Sequence, residues 1–187
     1  MAIACPIRVR TRIYSKRLMT AQLSSPDFAS VAYIAQNMRK ADRDEVYNVI
    51  GHNNPFLLAQ QAIDAGRMGS SVCAHRDNRP VAVLGFMARH PGVGSVFAFG
   101  TDEFPRVALT LTRYALRVMR PALIASGFHR VQCESRIDHH DAHAWLERLG
   151  FRREGILKAF GSDGSDYIQF GAVSHVFQSP PGQDAEG

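Results

Sequence analysis

The chain has 187 residues, enough for one domain with a real core, and a hydrophobic content of 45% excludes a disordered polymer. No apolar run reaches the ~18 residues a membrane span needs, the N-terminus lacks the apolar core of a secretory signal, and three widely spaced cysteines (Cys5, Cys73, Cys133) suit neither a disulfide framework nor a zinc ribbon, so a reducing, cytoplasmic setting is expected. The formal charge of +5 is concentrated in Arg8, Arg10, Arg12, Lys16 and Arg17, ahead of the first acid, Asp27; beyond them 17 basic residues face 17 acidic ones, and nucleic-acid binding by the basic arm fits poorly with so neutral a body.

Residues 1–28 read as a basic N-terminal arm. Ile7, Val9, Thr11 and Ile13 alternate with Arg8, Arg10 and Arg12, the periodicity of an edge strand or solvated arm rather than of the amphipathic helix of a transit peptide. After a turn at Ser24–Asp27, the apolar run Phe28–Ala35 (FASVAYIA) predicts the first core strand. Met38–Gly51 predicts a helix, with Val46, Val49 and Ile50 on one face and Asp42, Asp44 and Glu45 near its positive end. Asn54 as cap and Pro55 at the first helical position open another helix, with Phe56, Ala59 and Ile63 inward, ending near Gly66.

Ser71–His75 and Val81–Arg89 form a predicted hairpin around the turn Asp77–Pro80, and Val93–Phe99 a further strand. Thr101 or Asp102 can cap a long helix with Pro105 in its first turn and apolar surface from Val107, Leu109, Leu111, Tyr114, Leu116 and Val118. Pro121 must kink or restart it. His129–Ile137 predicts a strand. Ala142, Trp145, Leu146 and Leu149 then mark a short helix, capped by Asp138 or Asp141 and stopped by Gly150. Phe151–Phe160, a GSDGSD turn, and Tyr167, Ile168, Phe170 and Ala172 complete a second hairpin, and the polar tail 178–187 is expected to be disordered.

The run Ala142-x-x-Trp-Leu-Glu-Arg-Leu-Gly-Phe, followed by Arg-Glu-Gly-Ile-Leu and an Asp-Tyr strand, resembles the C-terminal part of the GNAT N-acetyltransferase superfamily, where N-x-x-A-x-x-x-Y-x-x-x-G-F leads into a β-hairpin. Among its members the chain most resembles short phage-encoded GNAT-like proteins, some grouped with internal virion components. The resemblance is specific in wording over Ala142–Tyr167 and follows the order of elements over residues 29–176. It implies a single mixed α/β domain over 29–176, in the order β-α-α-β-β-β-α-β-α-β-β, with a central sheet flanked by helices and a tail at 177–187.

The resemblance also implies a site. The family holds the diphosphate of acetyl-CoA on a Q/R-x-x-G-x-G/A helix start, because the free N–H groups and helix dipole there favour an anion. The corresponding stretch, Thr101–Ala108 (TDEFPRVA), has no glycine; Pro105 lacks a donor and Asp102 and Glu103 add like charge. Thr101, Arg106, Val107 and Ala108 are its candidate cofactor residues, Arg106 as the compensating cation. A plain helix start is the alternative. Phe97 and Phe99, with Ser135 opposite, would border the pantetheine arm, with core packing as the alternative for the two rings. Glu134 is the candidate base, or else an outward acid paired with Arg130 or Arg136. His139 stands at the family's asparagine, Ala142 at its alanine, and Leu146 at the tyrosine that protonates the leaving thiolate. With that hydroxyl absent, the thiolate would be protonated by water or by another group, for which His139, Tyr167 and Tyr114 are the candidates in that order.

His139 and His143, four apart, have metal-chelating spacing, but no third ligand stands out and a metal is not expected. The expected function is therefore an acetyl-CoA-binding N-acetyltransferase acting on an amine. The Arg-Glu-Gly stretch after Gly-Phe resembles branches of the family that act on protein N-termini, which implies an amine carried by a protein. The alternative is a degenerate GNAT-fold phage protein that binds a host enzyme or virion partner in the host cytoplasm.

Overall fold

A computed structural model describes residues 21–68 and 71–173. The alternating residues 7–13 of the basic arm and the polar tail 178–187 lie outside the described residues. The chain opens with strand β1 (Gln22–Ser24) and three helices, α1 (Phe28–Gln36), α2 (Lys40–Ile50) and α3 (Pro55–Met68). Strands β2 (Ser71–Arg76), β3 (Arg79–His90) and β4 (Val93–Gly100) follow. Then come helix α4 (Phe104–Tyr114), a π-helical turn (Ala115–Met119), α5 (Arg120–Ala125), β5 (Arg130–Arg136), α6 (His140–Arg148), β6 (Arg152–Leu157) and β7 (Tyr167–Val173). The strands form one seven-stranded sheet in the order β1-β2-β3-β4-β5-β7-β6. This is the mixed single-domain sheet expected.

Phe28–Ala35 is a correction: it is helical, not a strand. Asp27 caps it, accepting hydrogen bonds from Ser30 N (2.9 Å) and Ser30 Oγ (2.7 Å), and Val31, Ala32, Ile34 and Ala35 are buried at helical spacing. The first strand lies upstream, at Gln22–Ser24, where residues read as part of the arm pair with β2. Three helices, rather than two, therefore separate the first and second strands. Neither Asp138 nor Asp141 caps α6. His139 occupies the cap position without a side-chain bond, and Asp138 instead accepts from Arg136 Nε at 2.9 Å. At α4 the cap position falls to Glu103, one residue beyond the two expected.

Local chemistry elsewhere acts as expected. Asn54 Oδ1 accepts from Phe56 N and Leu57 N, and Asp77 and Asn78 take positive φ (50° and 61°) in the β2–β3 turn. Gly150 (φ 91°) stops α6, with Gly150 N donating to Glu147 O and Phe151 N to Leu146 O. Pro121 restarts the long helix: the π-helical turn before it lets Arg120 N reach Ala115 O, five residues back.

Apolar side chains cover both faces of the sheet. One core gathers Phe86, Val107, Leu111, Leu146 and Phe170 under α4 and α6; the other gathers Val31, Ile34, Leu58, Val83 and Phe99 under α1 and α3. The candidate site arises between β4 and β5, the one parallel pair among the described strands. They pair only over Val93–Ser95 and Arg130–Gln132. Past that point β4 stays with β3 up to Gly100 and β5 stays with β7 up to Arg136, so a wedge-shaped gap opens between them.

Candidate functional site

Strand edges that part leave backbone donors and acceptors facing the gap, and each must find a partner. In this chain α2 provides them. Asp42 Oδ2 accepts the Gly100 N–H at the end of β4 (2.7 Å), and Gly100 O accepts from Arg39 N (2.9 Å). On the opposite edge, Glu45 Oε2 accepts from Arg136 N (2.7 Å), Ser135 Oγ (2.7 Å) and His139 Nδ1 (3.0 Å). His139 Nε2 stands 3.5 Å from Asp42 Oδ1 without hydrogen-bond geometry. A carboxylate–imidazole–carboxylate bridge therefore spans the gap, from Gly100 on one strand to Arg136 on the other.

The bridge is buried. Asp42 is 2% exposed and His139 7% exposed. Desolvation raises the Asp42 carboxyl above its ordinary value, against the Arg39 guanidinium, whose Nε lies 2.6 Å from Oδ1, and the Gly100 N–H. For His139, burial is the largest influence and works against charge, but the Glu45 hydrogen bond and charge, with the Asp42 charge, outweigh it and raise the imidazole above its ordinary value. His143, one turn further on, is lowered by burial and donates through Nε2 to Arg136 O (2.9 Å). The two rings thus serve different partners, Glu45 and a backbone carbonyl.

The structure brings some of the expected site residues to this gap and others elsewhere. Glu134 lies on β5 opposite Gln169, on the other face of the strand from Ser135, half-buried and with no hydrogen bond or ion pair among the described residues. Its expected partners are engaged otherwise: Arg130 clasps Glu154, and Arg136 bonds Asp138 (2.9 Å) and Asp163 (2.8 Å). Ser135 reaches the gap through its hydroxyl, and His139 lies within it. Tyr167 is fully buried and its hydroxyl is committed to Glu45 O (2.8 Å), with burial pushing it up to about 12, so it is a structural donor rather than a ready acid. The Phe97 and Phe99 rings stack on each other in the α1–α3 core, and Tyr114 is buried in the other core.

At the start of α4 most local donors are already used. Thr101 N donates to Val81 O, Phe104 N to Thr101 O and Arg106 N to Glu103 O; Glu103 N reaches Thr101 Oγ1 at 3.3 Å, and Pro105 has no N–H. Val107 is fully buried, while Ala108 and Ala142 are half-buried. The exposed Arg106 makes a loose 3.8 Å pair with Glu103 and is free to swing toward an anion. Phe104 fills this corner: its ring lies 4.3 Å from the Arg39 guanidinium carbon and meets Trp145 edge-on at 5.5 Å.

Sequence reasoning missed Asp42, Glu45 and Arg39. Their only signal was Asp42 and Glu45 at i, i+3 on one helical face, a spacing equally common on solvated helices.

No protein-family model and no curated protein matches the sequence. Solved structures do match. The ribosomal-protein-S18-alanine N-acetyltransferase of Escherichia coli superposes with a TM-score of 0.61 at 16% identity, over 90% of this chain and 100% of that one. The ribosomal-protein-S5-alanine acetyltransferase of Vibrio fischeri gives 0.63 at 14%, over 89% and 100%. RimJ of Mycobacterium smegmatis, in complex with CoA-disulfide, gives 0.61 at 15%, over 85% and 84%. The chain therefore has the fold of GNAT-family acetyltransferases.

Proposed function

We propose that this chain is an acetyl-CoA-dependent N-acetyltransferase whose acceptor is an amine, in the first instance one carried by a protein. The observation that carries the reading is the parting of β4 and β5, with an unpaired carboxylate, Glu134, on β5 and a buried imidazole whose Nε2 makes no hydrogen bond, His139, beside it. Nearly full-length likeness to acetyltransferases of ribosomal-protein alanines supports the protein acceptor.

The gap fits a narrow thioester-bearing arm, since its walls present backbone N–H groups at Gly100 and Arg136 that already bind carboxylate oxygens. The start of α4 offers a diphosphate little besides Arg106, so most of the affinity must come from the gap. Acetyl-CoA, when bound, supplies the acetyl group as an activated thioester. Glu134 takes the proton of the incoming ammonium, because no cation competes for its oxygens. His139, whose Nε2 makes no hydrogen bond, holds a proton there that can pass to the leaving thiolate, in the role of the tyrosine replaced by Leu146.

The test is calorimetric titration with acetyl-CoA and CoA, repeated on Arg106→Ala, followed by an amine-acceptor screen with Glu134→Gln. Micromolar binding weakened by Arg106→Ala, and acetylation reduced at least a hundredfold by Glu134→Gln, support the reading. No binding at millimolar acetyl-CoA rejects it. A second reading, a GNAT-shaped protein without turnover that binds a host or virion partner, is favoured by the used donors at the start of α4, and absence of binding would leave it standing.

A further inference from the structure

Helix α2 differs from its neighbours in how it is held. α1 buries Val31, Ala32, Ile34 and Ala35, and α3 buries Leu58, Ala59 and Ala62, whereas the buried residues of α2 are Asp42 and Tyr47. Besides Tyr47 and the half-buried Val46 and Ile50, which pack on the α1–α3 core, α2 is fixed by polar bonds: Asp42 on Gly100, Glu45 on Ser135, Arg136 and His139, and the Tyr167 hydroxyl on Glu45 O. At its far end Asn48 Nδ2 reaches Asp163 (3.1 Å) and Asn48 O accepts from Ser162 N (2.9 Å). Polar bonds exchange for water or for a ligand's polar atoms at small net cost, while buried apolar area does not. The helix also has a ready pivot, since it ends on Gly51 at φ 74° with no atom crowding that residue.

We propose that α2 is a displaceable plug: its Asp42 and Glu45 carboxylates hold the Gly100 and Arg136 N–H groups that the thioester arm of acetyl-CoA uses, so the cofactor enters by expelling them. This rests on the acetyl-CoA reading above. The two carboxylates stand where ligand oxygens would accept, one on each parted strand. They are tied together by His139, so loosening either one weakens the hold of the other. Net affinity for the cofactor is then its intrinsic affinity reduced by the fraction of molecules with α2 out.

Two variants loosen the plug by different routes. Glu45→Ala removes the carboxylate from β5. Asn48→Ala removes the side-chain bonds to Asp163 and Ser162 and leaves both carboxylates in place, which guards against a folding failure of the first. Calorimetry with acetyl-CoA is read together with amide hydrogen exchange at Gly100 and Arg136. Both variants are expected to bind acetyl-CoA at least tenfold more tightly than the parent. Exchange at Arg136 should rise in Glu45→Ala, while core amides such as Val83 and Phe170 stay unchanged, and acetyl-CoA should protect Arg136 again. Binding by all three chains with equal affinity, or weaker binding by a folded Asn48→Ala, overturns the plug and leaves the cofactor reading intact. Binding by none overturns both.

Discussion

Replacing Arg39 by methionine tests whether the bridge is a buried charge system or a decorated surface. Methionine keeps the apolar stem against Phe104 and removes the guanidinium that sits 2.6 Å from Asp42 Oδ1 and over the Phe104 ring. Asp42 is almost inaccessible and keeps the Gly100 N–H and the His139 imidazole 3.5 Å away, so its charge loses its nearest and strongest compensation. Breaking a buried ion pair from one side costs about 3–5 kcal/mol, and the surviving Gly100 bond places this case near the lower end. For a chain of this size about 3 kcal/mol corresponds to a Tm lower by roughly 6–12 °C. The pH dependence has a definite sign. The folded Asp42 carboxyl already lies above its unfolded value of 3.8, and losing Arg39 raises it further. The penalty is therefore full where Asp42 is charged in both states and shrinks as the pH falls toward 3.8. Thermal and urea unfolding at pH 7 and pH 5, with Asp42→Asn and the double variant completing a cycle, measures it. Asparagine can still accept from Gly100, so the double variant should recover at least half of the loss. A loss below 1 kcal/mol at pH 7, or one that grows on acidification, would refute the buried-charge account.

His139→Gln should lower Tm more at pH 6 than at pH 8.5: a raised imidazole adds stability in full below 6.5, and loses it as pH rises through the folded value. The lowered His143 acts in the opposite direction but is common to both chains, so a parent–variant difference that is flat or grows toward alkaline pH would contradict the assignment. Gly100→Ala places a Cβ 2.7 Å from Phe104 Cδ2 and 2.8 Å from Val81 O, and overpacking of this kind costs about 1–3 kcal/mol, read by urea unfolding; an unchanged midpoint would mean that β4 ends differently.

Much of the fold was legible because short-range chemistry decides it. Asn54 before Pro55, the Asp77-Asn78 pair and Gly150 each impose one backbone conformation regardless of what lies across the sheet. Phe28–Ala35 was not legible from its composition, since an eight-residue apolar run satisfies a strand and a helix equally. What settled it was Asp27 with Ser30 three residues on, a capping pair that makes the helix start cheaper than continued extension. On the motif-bearing half of the site, Ser135 and His139 lie at the gap through their bonds to Glu45, and Glu134 sits on the same strand as Ser135. Its other half comes from α2, about ninety residues earlier, and the side chains there are ordinary for the first turns of any helix. Only the sheet topology, which parts β4 from β5 opposite that helix, turns Asp42 and Glu45 into partners of Gly100 and Arg136.

The missing glycines at the start of α4 and the carboxylates in the gap belong to one connected arrangement. Where the family pattern would leave room for an anion, Phe104 fills the space, braced by Trp145. That ring is also the platform on which the Arg39 guanidinium lies, and Arg39 is the cation that makes a buried Asp42 tolerable. Asp42 in turn holds the Gly100 N–H, and Gly100 must be glycine because a Cβ there would strike the same Phe104 ring. Restoring a glycine at position 104 to rebuild a phosphate cradle would therefore do more than free a backbone donor. It would remove the support of Arg39, leave Asp42 undercompensated, and loosen α2 from β4. On the proposed acetyl-CoA reading, phosphate-end and thioester-end affinity should consequently rise together in such a variant, while global stability falls.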